Sequence, residues 1–250
     1  ICRRLDGIPL AIELAAARAS ALSPRQIAEK LNDRFRLLTG GRRTALPRQQ
    51  TLKAAIDWGH DLLPQPERVV LRRLAAFVGG FDLEGAETVC EGPAPEASVD
   101  RYDVMDLVSN LVAKSFVAVE EGGGGGVRYR LLETVRQYAL DRLLEAGEGP
   151  ATRDRHRDFV RALTKRLRAE LQGPGLVAAL ERLDAEDGNV RAALEWCADG
   201  PEGVAPGLAI ASAVSRHTTI RGHLADGRAA LDGLLARAGG DLDPALRVRA

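Results

Sequence analysis

Residues 102–138, YDVMDLVSNLVAKSFVAVEEGGGGGVRYRLLETVRQY, read as helix, strand, turn, strand, helix. Met105, Leu107, Val108, Leu111 and Val112 recur at helical spacing, so the first piece is expected to be an amphipathic helix. The run from Ser115 to Glu120 has strand composition, and Val127, Tyr129 and Leu131 alternate with Arg128 and Arg130. Between them lie Gly122 to Gly126, which can turn with positive φ at no steric cost. From Leu132 the pattern is helical again, with Val135, Tyr138, Ala139 and Leu143 on one face. A lone two-stranded hairpin is not stable in water, so this one must pack on the helices beside it. Helices followed by a small hairpin predict a winged helix.

Composition bounds the rest. The chain has 250 residues, 45% of them hydrophobic, enough for two small domains with cores of their own. Its 35 basic and 35 acidic side chains cancel, whereas a dedicated nucleic-acid binder usually carries a basic surplus. Cys2, Cys90 and Cys197 are odd in number and far apart, which predicts neither a disulfide framework nor a zinc site and fits a reduced, cytoplasmic compartment. No apolar run is long enough to span a bilayer and no signal peptide is visible, so no membrane partner is expected. The segment Ile1 to Leu5 looks like the last turn of a helix begun upstream. A helix capped by Asp243 and opened by Pro244 stops at Ala250 with its apolar face unfinished. The expectation is a piece of a longer polypeptide.

In chain order, Gly7-Ile8-Pro9 breaks one helix and starts another. Ser23-Pro24-Arg25-Gln26 forms a capping box, and residues 39–47 are a polar, Gly- and Pro-broken linker. Pro64 to Glu67 opens a helix whose buried side is Val70, Leu71, Leu74 and Phe77. Gly79-Gly80 ends it, and Asp82 caps a short helix running to Thr88. Beyond residues 147–150 a helix is expected from about Arg153 to Leu171. Helical segments follow at 176–183, 189–197, 208–219 and 224–236, joined by short turns in the manner of a stacked array. The fold class is mainly α: a helical bundle, a winged helix with one small β-hairpin, and a helical-repeat segment. The expected divisions are 1–46, 47–147 and 148–250.

These segments carry a family likeness. Leu5-Asp-Gly-Ile-Pro-Leu-Ala-Ile-Glu-Leu14 resembles the end of the nucleotide-binding module of STAND ATPases, the signalling switches that include NB-ARC proteins. Residues 51–58, 77–82 and 130–138 look like the winged helix of bacterial regulators in that group. Residues 183–196 and 221–224 look like the TPR-like repeats that follow. The resemblance implies a switch. An upstream P-loop domain binds ATP or ADP with magnesium, the winged helix clamps the ADP state, and the repeats sense a ligand or protein partner. Release permits self-oligomerisation, with DNA engaged through another domain. By position, Gly7 and Pro9 fall on the GxP motif whose proline packs near the adenine; read without the likeness they are a helix break. Many relatives carry Met-His-Asp after the second wing strand, the His contacting phosphate. Here Leu131-Leu132-Glu133 stands in that place. Leu132 offers phosphate no hydrogen bond, and Glu133 can cap the following helix or pair locally, capping being the expectation.

The chain holds no GxxxxGK[ST], so this segment is expected neither to cradle a triphosphate nor to act as an enzyme, and none of its ligands is expected to be bound by this chain alone. His60, His156, His217 and His223 are scattered without metal spacing, and Cys90 reads as packing, so no catalytic or metal site is assigned. A winged helix that reads DNA is the competing function. The helix 100–114, however, has Asp100, Asp103 and Asp106 against Arg101 and Lys114, and Arg128 and Arg130 read as solvated strand residues. One basic segment remains. Residues 153–170 hold seven bases against three acids, with Phe159, Val160, Leu163 and Leu167 as an apolar stripe. It is either a solvated helix face or a docking surface, through Arg161 and Lys165, for an acidic partner or nucleic acid.

Overall fold

The computed structural model describes residues 2, 23–26, 56–57, 60–61, 63–121, 126–199 and 201–237. Within the continuous part the order is α1 (Gln65–Leu74), α2 (Leu83–Cys90), a 3-10 turn (Arg101–Asp103), α3 (Val104–Ala113), β1 (Val117–Glu121), β2 (Val127–Leu131), α4 (Glu133–Glu145), α5 (Gly149–Glu170), α6 (Leu176–Ala185), α7 (Asp187–Ala198), α8 (Val204–Arg221) and α9 (Leu224–Arg237). The capping box is present: Gln26 N–H donates to Ser23 Oγ at 3.3 Å, and Ser23 N–H donates to Gln26 Oε1 at 2.9 Å.

The three helices α1 to α3 and the hairpin make the winged helix expected from the alternation around residues 117–131. β1 pairs antiparallel with β2, Val117 opposite Leu131 and Val119 opposite Tyr129. Phe81 adds one residue of a third strand, exchanging both backbone hydrogen bonds with Tyr129 at 2.8 Å. It reaches that edge through Gly80, whose φ of 129° and 3.0 Å approach of a would-be Cβ to the Tyr129 carbonyl both call for glycine. Asp82 then caps α2 by accepting from Gly85 N–H at 2.7 Å, as its position predicted. Val104, Val108 and Leu111 are the buried side of α3, whereas Met105, expected in its apolar stripe, is 51% exposed. On α4 Val135, Tyr138, Ala139 and Leu143 are all buried.

α5 begins at Gly149, four residues before the expected Arg153, because Pro150 in the first turn has no N–H to lose. Its start is tied to α1 by a buried ionic cluster. Glu148 accepts from Arg73 Nε at 2.6 Å and from Arg72, which also donates to Glu96 at 2.6 Å. Arg73 is buried outright and donates to the carbonyls of Cys90, Gly92 and Pro93 at 2.5–3.0 Å. These groups are costly to bury unless every donor is met, and here they set the path of the loop into α3. Farther along α5, His156 and Phe159 stack edge-on to Phe77, so the winged-helix core continues into α5. α7 and α8 pack on α5, and α9 on α8, extending one apolar core to Leu234. The division of the chain at residue 46 lies outside the described residues.

Candidate functional site

A DNA-reading winged helix offers its third helix and wing to phosphates and base edges. Here the outer side of the 3-10 turn and α3 shows Tyr102, Asp103, Met105, Asp106, Ser109 and Asn110. Residues 63–144 contain nine basic side chains against thirteen acidic, a net of −4. Each of the nine is already engaged within the fold. Arg101 holds Glu87 at 3.1 Å, Lys114 holds Glu67 at 2.5 Å, and Arg130 pairs with Glu120 across the hairpin. Arg136 holds Glu133, Arg142 holds Glu145, and Arg68 donates to the Asp61 and Leu63 carbonyls. Arg72 and Arg73 belong to the Glu148 cluster. Phosphate contact draws on cations that can trade counterions for phosphates, and on this domain a phosphate would have to displace a partner already in place.

The ninth, Arg128, overturns the solvated reading of the second strand. Its side chain is 11% exposed, and it donates from Nη1 to Glu186 Oε1 at 2.7 Å and from Nη2 to the Ala185 carbonyl at 3.1 Å. Glu186 sits at the α6–α7 junction and is itself buried, with Arg182 at 3.3 Å and Asn189 Nδ2 at 2.6 Å. Arg182 also pairs with Asp82, the cap of α2. Asn189 completes the seam. Its Nδ2 donates to the Gly80 carbonyl at 2.8 Å, and its Oδ1 accepts from Val78 N–H at 2.8 Å and faces His156 Nε2 at 3.3 Å. With Oδ1 as acceptor, His156 carries its proton on Nε2. Burial lowers the His156 pKa to about 4, so the ring is neutral near pH 7. Beside it, Gly188 has no room for a Cβ, which would meet the Val78 carbonyl at 2.5 Å. The wing and the turn before it are thus bolted to the first turn of α7.

This seam escaped the sequence reading. Residues 183–196 resemble a helical repeat, yet nothing in that run says that Glu186 and Asn189 face a strand some sixty and a turn some hundred residues away. A Gly-Asn pair early in a helix, both poor formers, was the available signal.

Gly7 and Pro9 lie outside the described residues. Leu132 and Glu133 stand at the N-terminus of α4, Leu132 as the capping residue without a side-chain bond and Glu133 in the first turn. Glu133 pairs with Arg136, one turn on, at 2.9 and 3.0 Å. Between them the two side chains offer phosphate an apolar group and a carboxylate. At this position the residues present do not fit a nucleotide phosphate.

On α5 the seven bases divide. Arg153 lies over the Trp196 ring, Arg155 donates to the Val89 carbonyl at 2.9 Å, Arg157 holds Asp154 at 2.7 Å and Arg166 holds Glu84 at 3.1 Å. Arg161, Lys165 and Arg168 remain on an exposed side. Among the described residues no group of three or more His, Cys, Asp or Glu is placed to hold a metal. Cys90 is buried and its pKa is pushed up to about 12 by that burial, which leaves it a packing residue. No described helix is long and apolar enough to cross a membrane.

Residues 63–144 match the family model of a winged helix-turn-helix domain. A Mycobacterium tuberculosis protein named "Putative HTH-type transcriptional regulator" is 46% identical over 229 residues, covering 91% of this chain and 25% of the relative, and a Mycobacterium bovis protein of that name matches equally. A second Mycobacterium tuberculosis relative, named only as an uncharacterized protein, is 49% identical over 169 residues, 68% of this chain and 42% of its own length. The chain therefore spans about a quarter of the length of the named regulators it resembles. No solved structure matches it.

Proposed function

We propose that this chain is the regulatory middle of a larger, cytoplasmic transcriptional regulator of the STAND type. In it the winged helix passes the state of an upstream ATP- or ADP-binding module to a sensor formed by the helical repeats. The observation that carries the reading is the seam. A wing held by Arg128, Glu186 and Asn189 moves with the α6–α7 junction, as a lever between sensor and switch must. The nine committed cations support the same reading, since they leave the winged helix to protein contacts. The likeness of residues 5–14 to the end of a nucleotide-binding module supplies the input, through Gly7 and Pro9. Output then lies in another domain, reached on self-oligomerisation or partner binding. The Leu132-Glu133 position argues that any nucleotide contact from the winged helix runs through other residues.

The test is made on the full-length protein. It is purified and denatured, and released nucleotide is identified by chromatography, beside Pro9→Ala and Arg128→Ala. Retained ADP, reduced in Pro9→Ala and exchanged faster in Arg128→Ala, supports the lever. No nucleotide in any form after loading with ATP or ADP overturns it.

Direct DNA reading by the winged helix is the second reading, favoured by the helix-turn-helix match of residues 63–144. It requires a gel shift of duplex DNA by this chain that fades as salt rises. We expect none.

A further inference from the structure

The three cations left over on α5 line a trough. Arg161, Lys165 and Arg168, with Ala162 between them, form one wall, and Leu208, Ala209, Ser212 and Ala213 of α8 form the other. The space is about 670 Å³, the size of a small-molecule site. Its floor is apolar: Leu208 and Ala213 are buried, and the small side chains of Ala162, Ala209 and Ala213 leave it open.

Charge decides the occupant. Asp158 is the acid lining the trough, and it is held by Arg157 at 3.2 Å, with Arg161 at 3.6 Å. α8 contains no Asp or Glu along Val204–Arg221, so the opposite wall returns no negative charge. Lys165 has no carboxylate or hydrogen-bond partner among the described residues. Among the described residues Arg168 meets the Ser212 hydroxyl, at a long 3.5 Å. On the winged helix every cation of the same kind is matched; here two stand unmatched above an apolar floor.

We propose that this trough binds an amphipathic organic anion, a carboxylate or phosphate head on an apolar body. Lys165 and Arg168 hold the head, Arg161 closes one end, and the body lies on Leu208, Ala209 and Ala213. The wall that α5 supplies runs ten steps from Asp158 to Arg168, about 15 Å of helix, and its cations Arg161 to Arg168 cover about 10 Å of it, room for a medium-length chain. The inference rests on the trough alone and does not depend on nucleotide switching.

The test is isothermal titration calorimetry of the full-length protein with decanoate and decyl phosphate below their micelle concentrations and decanol below its solubility limit. Both anions bind, and decanol binds at least about tenfold more weakly, because the head's charge-assisted hydrogen bonds are missing. Whichever anion binds tighter names the head group. Lys165→Gln and Arg168→Gln each weaken the anions about tenfold and leave decanol unchanged. Ala162→Trp, which fills the trough from an exposed position, abolishes binding of all three while the melting temperature stays. Equal affinity for decanol and decanoate overturns the proposal, as does unaltered decanoate binding in Lys165→Gln. So does an acidic Glu/Leu peptide that binds and is not displaced by decanoate, which would make the trough a protein surface.

Discussion

At the wing, Arg128 meets a carboxylate whose side chain is 2% exposed, and that carboxylate meets an asparagine whose every polar atom is bonded. On α5, Lys165 and Arg168 meet no carboxylate among the described residues and look over an apolar trough. The two regions lie on one continuous core and use the same residue types, yet they differ in what disturbance would do. A buried ion with all partners present is expensive to disturb, because each group left behind keeps its desolvation cost. An exposed cation can be removed at little expense to the fold, so its reason for standing unmatched has to be sought outside the fold. Seam residues should therefore report in stability, and trough residues in binding.

The sharpest way to break that contrast is Asn189→Ala. It strands Val78 N–H, the Gly80 carbonyl and His156 in the interior, and the stability measured by urea unfolding should fall by about 3 kcal/mol. A loss under ~1 kcal/mol would mean that water replaces the amide and the seam is soft. Gly188→Ala comes next. Its Cβ is driven against the Val78 carbonyl, and about 2 kcal/mol should be lost, with the first turn of α7 exchanging its amide hydrogens faster.

Acid probes the same place through His156. Its pKa is about 4 in the fold and ordinary when unfolded, so the unfolded chain binds the extra proton between those values. The stabilisation is complete above pH 6.5 and is lost as pH falls toward 4, at up to about 1.4 kcal/mol per pH unit. His156→Gln should flatten that part of the stability–pH curve; an unchanged slope would assign the acid sensitivity elsewhere. Smallest is Lys165→Gln, expected to change stability by less than ~0.5 kcal/mol. A larger loss would place Lys165 with the seam and erase the distinction.

What could be read before any coordinates was what local rules decide. The Ser23–Gln26 box, the Asp82 cap, the hairpin and the buried side of α4 all follow from neighbours within a few residues. Val127, Tyr129 and Leu131 could be placed on one side of the hairpin because alternation fixes sides. Pairing at a distance could not be read. Arg72-Arg73 looks like any basic pair on a helix, and its burial is explained by Glu148, from seventy-odd residues away, with the carbonyls of Cys90, Gly92 and Pro93. Arg128 alternates correctly for an outward strand residue, and it does face away from Tyr129, but the outside there is covered by the α6–α7 junction. Likewise, Arg161 and Lys165 could be flagged as basic, whereas the α8 wall that makes a trough of them is a tertiary fact.

Arg73 gives the winged helix a mechanical property. One guanidinium grips the carbonyls of Cys90, Gly92 and Pro93, and its Nε is gripped by Glu148 at the head of α5. Arg72 grips the same carboxylate, so the head of α5 is pinned to α1 twice. If α5 is pulled along its axis, Glu148 draws on Arg73, and the stretch that leads into α3 is drawn with it. Pressure on the long helix would then reach the short one through the loop that joins α2 to it.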